Sequence, residues 1–177
     1  MNTLLTGRAY TFGDNIDTDI IAPGMTISFG LADGSEMEEV KTHAFEEVRP
    51  GFHREVIPGS ILVAGKNFGF GSHREQAITI VQYLGFRIIL ADSVARLYER
   101  NAFAIGFPII EVPGISAMVS EGDIVEVDME SWNVTNKTTG KSVAVEPLSE
   151  TVLGIIEAGG IIELLKESWE KKQRAAN

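Results

Sequence analysis

The sequence predicts an α/β fold with a parallel βαβ core and β-rich flanks. Three observations carry that expectation. Two short apolar runs, Ile61-Leu62-Val63-Ala64 and Ile88-Ile89-Leu90-Ala91, have the length and composition of strands buried on both faces. Each is followed by a stretch rich in helix formers that stops at a glycine, Gly85 or Gly106. Residues 123–129 then alternate strictly between polar and apolar, the pattern of a half-buried antiparallel strand.

In chain order, residues 8–12 read as a short strand running into the turn Gly13-Asp14-Asn15. Residues 17–24 form a polar turn with a short apolar piece halted at Pro23-Gly24, and 25–35 show no period and read as an exposed loop. Residues 36–47 predict a helix ending before Pro50-Gly51. The core follows: strand 60–64, a Gly-rich loop 65–71, helix 74–84, strand 87–91, helix 93–104 and strand 107–112. Strands alternating with helices of about 10 residues predict parallel, right-handed crossover units. Residues 132–145 predict a hairpin turning at Lys137-Thr138-Thr139-Gly140, and 149–157 and 161–172 are closing helices broken by Gly159-Gly160. With no repeat or linker, residues 1–177 are expected to form a single domain.

Composition narrows the function. At 44% hydrophobic and 23% charged residues, the chain has the makeup of an ordered globular protein. Its net charge of −10 opposes nonspecific attraction to phosphate, so no nucleic-acid partner is expected. No apolar run approaches the ~20 residues of a membrane span, and the first residues lack a basic-then-apolar leader. No membrane association is expected, and a cytoplasmic location is. There is no cysteine, hence no thiolate nucleophile or ligand, and His43, His53 and His73 form no metal-binding spacing.

The stretch Gly65-Lys66-Asn67-Phe68-Gly69-Phe70-Gly71-Ser72-His73-Arg74-Glu75-Gln76-Ala77 lies between a strand and a helix. Free amides and the helix dipole favour an anion there. Its glycines let the backbone approach a ligand, and Arg74 can grip a carboxylate with two parallel hydrogen bonds. Ser72 can face the same anion and, as an alkoxide supported by the dipole and Arg74, take a proton beside a carboxylate. A structural reading competes: Ser72 and Glu75 fit a capping box. That reading leaves Arg74 unexplained, because the first helical turn prefers acids.

Two nucleotide motifs compete as well. Gly59 and Gly65 are separated by five residues where a P-loop has four, and Asn67 follows Lys66. The dinucleotide pattern begins with Gly69-Phe70-Gly71 but has Arg74 at the third glycine, although Asp92 falls where a ribose-binding acid would stand.

The motif Gly65-Lys66-Asn67-Phe68-Gly69-x-Gly71-Ser72-x-Arg74-Glu75-x-Ala77 resembles the signature of the aconitase-superfamily swivelling domain, within it the small subunits of 3-isopropylmalate dehydratases. Asp14-Asn15-Ile16-Asp17-Thr18-Asp19-Ile20-Ile21, Ile89-Leu90-Ala91-Asp92-Ser93-Val94-Ala95-Arg96, Arg100-Asn101, Gly106-Phe107-Pro108 and residues 152–165 agree in order. The resemblance implies a swivelling β/β/α domain that closes over a large subunit. That partner is expected to carry a [4Fe–4S] cluster, with no cofactor bound by this chain and a small hydroxy-dicarboxylate as substrate. Ser72 would be the general base and Arg74 the carboxylate binder, with Gly71 and His73 beside the substrate and Asp19 orienting a partner His or Arg74.

Two departures bear on the substrate. His73 stands where the family usually has a second serine. The loop Met25-Thr26-Ile27-Ser28-Phe29-Gly30 carries no cation, whereas relatives taking tricarboxylates place an arginine there. Ile27 and Ser28 are expected to meet the substrate, with Met25, Ile27 and Phe29 offering an apolar pocket to its side group. The expected reaction is isomerisation of 2-isopropylmalate and 3-isopropylmalate by dehydration and rehydration. A related diacid hydratase of the citraconate or 2,3-dimethylmalate type, or a stand-alone anion- or nucleotide-binding module, are the competing readings. Asp17 and Asp19 also fit an Asx-turn, and Arg96 and Arg100 a solvated helix face.

Overall fold

A computed structural model describes residues 3–23, 34–72 and 75–175 of the chain. Strand β1 (Leu4–Phe12) is the pivot of a seven-stranded sheet. On one side it pairs in parallel with β2 (Ile61–Ala64), which is followed by β3 (Ile88–Ala91) and β4 (Ile109–Glu111). On the other side it pairs antiparallel with β5 (Ile124–Asp128), then β6 (Asn133–Asn136) and β7 (Ser142–Ala144). The order is β4-β3-β2-β1-β5-β6-β7. The parallel core and β-rich flank are the two halves of one sheet.

Period-two alternation gives each central strand two apolar faces. Tyr10, Phe12, Leu62, Ala64, Ile89, Ala91 and Ile109 face one core. It is covered by α1 (Thr18–Ile21), α2 (Gly34–His43), α3 (Gln76–Tyr83) and α4 (Arg96–Ala104). Ile61, Val63, Ile88 and Leu90 face the other way and share a second core with Val125, Val127 and Val134 from the antiparallel half. The sheet curls so that residues of both halves meet in this core, while β4 and β7 remain its two edges. The short α5 (Ile115–Met118) seals this core with Ile115, while α6 (Glu150–Ala158) and α7 (Ile161–Ala175) close the chain.

Register sets the position of the site. Phe12 lies opposite Ala64, Ala64 opposite Ala91, and Ala91 opposite Glu111. The four parallel strands therefore end on one edge, where ligands of open α/β sheets collect. The loops that leave this edge, after Phe12, Ala64 and Ala91, are the ones that carry the sequence motifs.

Several boundaries differ from expectation for identifiable reasons. Residues 18–21 form a helical turn, because the Asp17 carboxylate accepts from the amides of Asp19 (2.9 Å) and Ile20 (2.7 Å) and caps it. Helix α4 begins at Arg96 because Ser93 is drawn into contacts with the Gly-rich loop. Strand β1 starts four residues early, since Leu4 and Leu5 pair with Asp128 and Val127. Most of the loop predicted over 25–35 lies outside the described residues.

Candidate functional site

The Gly-rich loop is held as a rigid ledge between two neighbours. On one side, Asn15 donates its amide to Lys66 O (2.8 Å), Gly69 to Ile16 O (2.7 Å) and Thr18 to Phe70 O (2.9 Å). On the other, Phe68 donates to Ser93 O (3.0 Å) and Ala95 to Phe68 O (2.8 Å), while Ser93 Oγ accepts from the Asn67 amide at 2.8 Å. Parallel bridges join Asp17 with Phe70 and Phe68 with Val94. The loop thus continues the parallel sheet past the end of β2.

Two glycines permit this path. A Cβ on Gly65 would run into the Asp14 carboxylate, which accepts from the Lys66 amide at 2.7 Å. Gly71 adopts φ +104°, where a side chain would be strained. It delivers the chain to Ser72, which is half-buried at the end of the ledge. The Ser72 amide donates to Thr18 Oγ1 at 2.8 Å.

That hydrogen bond corrects one sequence reading. A capping box needs the Ser72 amide to donate to the Glu75 carboxylate, but it donates to Thr18 Oγ1 instead. Glu75 itself has helical angles (φ −60°, ψ −32°), makes no side-chain cap and is exposed. The structural role assigned to the Ser72 and Glu75 side chains therefore does not form.

Of the expected site residues, the structure brings Gly71, Ser72 and the Asp17–Asp19 turn together. Asp17 is committed to capping α1, as the Asx-turn reading expects, and Asp19 is exposed beside it. His73, Arg74, Ile27 and Ser28 lie outside the described residues. Arg96 and Arg100 are exposed on α4, in keeping with a solvated face.

Asp92 is fully engaged in the fold. Its carboxylate accepts from the amides of Gly114 (2.8 Å) and Ser116 (3.3 Å) and from Ser116 Oγ (2.5 Å). Burial alone would raise this carboxyl, but those bonds outweigh it and hold it below the ordinary carboxylate range. A ribose-binding acid must be free to accept from a hydroxyl, and Asp92 instead ties α5 to the end of β3. Thr18 is the residue that sequence reasoning missed. It sits inside the quoted Asp17-Thr18-Asp19 motif, yet its partner is 54 residues away in sequence, beyond what spacing can reveal.

With this geometry in view, similarity to known proteins becomes specific. The aconitase C-terminal domain model matches residues 33–113, which include the whole ledge and Ser72. The chain is 41% identical over 167 residues to the 3-isopropylmalate dehydratase small subunit of Thermodesulfovibrio yellowstonii, covering 94% of each. This chain belongs to the 3-isopropylmalate dehydratase small-subunit family. The isopropylmalate/citramalate isomerase small subunit of Methanocaldococcus jannaschii is 38% identical, with 98% of this chain and 100% of that one covered. A crystal structure of 3-isopropylmalate dehydratase from the same organism superposes with a TM-score of 0.85 at 32% identity, covering 97% and 99%. The curled seven-stranded sheet is therefore the fold of this small-subunit family.

Membership of a small-subunit family implies a large-subunit partner. With no cysteine, the chain has no thiolate to offer an iron–sulfur cluster. Among the described residues, no group of three or more His, Asp or Glu can hold a metal. Nor is any described helix long and apolar enough to cross a membrane.

Proposed function

We propose that this chain is the small subunit of a hydro-lyase that interconverts 2-isopropylmalate and 3-isopropylmalate. It acts only with a large subunit, and the [4Fe–4S] cluster resides on that partner. The observation that carries this reading is the ledge that ends at Ser72, in a chain of the 3-isopropylmalate dehydratase small-subunit family. When bound on the partner, such a cluster supplies Lewis acidity to the departing hydroxyl.

This chain's residues account for the other half of the chemistry. Ser72 Oγ removes the proton from the carbon next to a carboxylate, and the electron pair forms the C=C bond as the neighbouring C–O bond breaks. The departing hydroxyl takes up a separate proton drawn from solvent and leaves as water, while the abstracted proton stays on Ser72. Rehydration reverses these events with the hydroxyl on the other carbon and the proton returned by Ser72. Arg74 holds a substrate carboxylate and offsets the charge that builds up beside it. The Gly71 backbone and His73 border the substrate, Asp19 orients Arg74 or a partner histidine, and Ile27 and Ser28 meet the side group. Residues 1–177 act as one swivelling domain, and the protein works in the cytoplasm.

A second reading, hydration of a related diacid, draws support from the citramalate named for the M. jannaschii relative. The nucleotide-module reading loses its ribose acid at Asp92. Mixing the purified chain with its cluster-bearing large subunit and following the ultraviolet absorbance of the unsaturated diacid tests the proposal. Activity on isopropylmalate only when both are present is expected. Turnover confined to citramalate or 2,3-dimethylmalate favours the second reading, and submicromolar nucleotide binding by the chain alone overturns the first.

A further inference from the structure

Resting on that reading, we infer that Thr18 is a positioning residue: its hydroxyl fixes the backbone from which Ser72 reaches the substrate. Thr18 is 1% exposed, one of three buried polar residues among those described, with Ser60 and Asn136. Those two serve their own neighbourhood. Ser60 Oγ donates to Ile57 O, and Asn136 donates to Met118 O and Asp123. Thr18 Oγ1 is turned instead to the amide of Ser72, at 2.8 Å.

The grip has two points. The Thr18 amide donates to Phe70 O at 2.9 Å while its side chain holds the amide two residues later. Gly71, between them, is thereby pinned at φ +104°, and a Cβ on it would stand 3.0 Å from Thr18 Oγ1. Thr18 in turn is anchored by the Asp17 cap and by the Ala22 amide bonding its carbonyl at 2.9 Å. The backbone that carries the Ser72 side chain is therefore held by the amide and the buried hydroxyl of one residue on another element. A proton-abstracting group tolerates little displacement, since about 1 Å can cost on the order of 100-fold in rate.

The test uses the reconstituted two-subunit enzyme. Thr18→Val keeps the shape and removes the acceptor. It should lower kcat by about 10- to 100-fold with KM within about 3-fold, and should raise the kinetic isotope effect on substrate deuterated at the abstracted position. Thr18→Ser restores the hydroxyl and should keep kcat within about 3-fold of wild type. Wild-type kcat in folded Thr18→Val overturns the inference, as does an equal loss in Thr18→Ser or a loss that tracks only melting temperature or subunit affinity. A wild-type complex without hydratase activity overturns the proposed function as well. An active wild type beside an indifferent Thr18→Val overturns this inference alone.

Discussion

The ring of Tyr98 occupies the space into which a side chain at Gly69 would point. Its hydroxyl donates to Ala77 O at 3.0 Å, and its ring meets Phe68 edge-on at 5.4 Å between centroids. One buried side chain of α4 therefore supports both the ledge and the first turn of α3. The geometry around Ser72 depends on that shared support.

Gly69→Ala should be costly because two penalties coincide: φ +74° and a collision with a ring that is itself buried. We expect a loss of about 2–4 kcal/mol, from left-handed backbone strain and overpacking together. Gly140→Ala is the control. It has φ +76° with nothing within 4 Å of the added Cβ, so only the backbone part, about 1 kcal/mol, should appear. Urea denaturation of the two variants checks the difference.

Tyr98→Phe leaves the ring in place and strips the Ala77 carbonyl of its donor, which should cost about 1–2 kcal/mol. It should also alter alkaline behaviour. Burial pushes the Tyr98 phenol far above its ordinary value, so above the ordinary phenol range the unfolded chain ionises while the folded one does not. The wild-type fold then loses stability as pH rises, and Tyr98→Phe should lose less. Denaturation midpoints from neutral to strongly alkaline pH measure this.

Asp92→Asn should loosen the tie between β3 and α5, costing about 1–2 kcal/mol near neutral pH. The folded carboxyl titrates below its unfolded value. Its stabilisation is therefore complete above the unfolded pKa and disappears as pH falls through the lower, folded one. Wild type and variant should converge in that acid window. A gap that stays constant down to the most acid pH would show that the charge on Asp92 does not matter.

Much of the fold was legible because its signals are local. The doubly apolar runs at 61–64 and 88–91 are strands with both faces buried, and the alternation at 123–129 is β5. The hairpin turn at Lys137–Gly140 also formed as the sequence indicates. What could not be read came from tertiary partners. The Ser93 contacts that delay α4 and the Asp92 bonds that hold α5 join segments whose sequences do not announce each other. At the site, the Gly-loop motif offered both a catalytic Ser72 and a capping box, and the Thr18 hydroxyl, arriving from another element, takes the amide hydrogen bond that the box would need.

Replacing Ser72 by Ala in the reconstituted enzyme tests the central claim most directly. With the base removed and the Thr18 bond to the amide intact, kcat for isopropylmalate should fall by about 100- to 10,000-fold, while the subunits assemble as before. Turnover within about 2-fold of wild type would contradict the claim, because proton removal would then belong to another group.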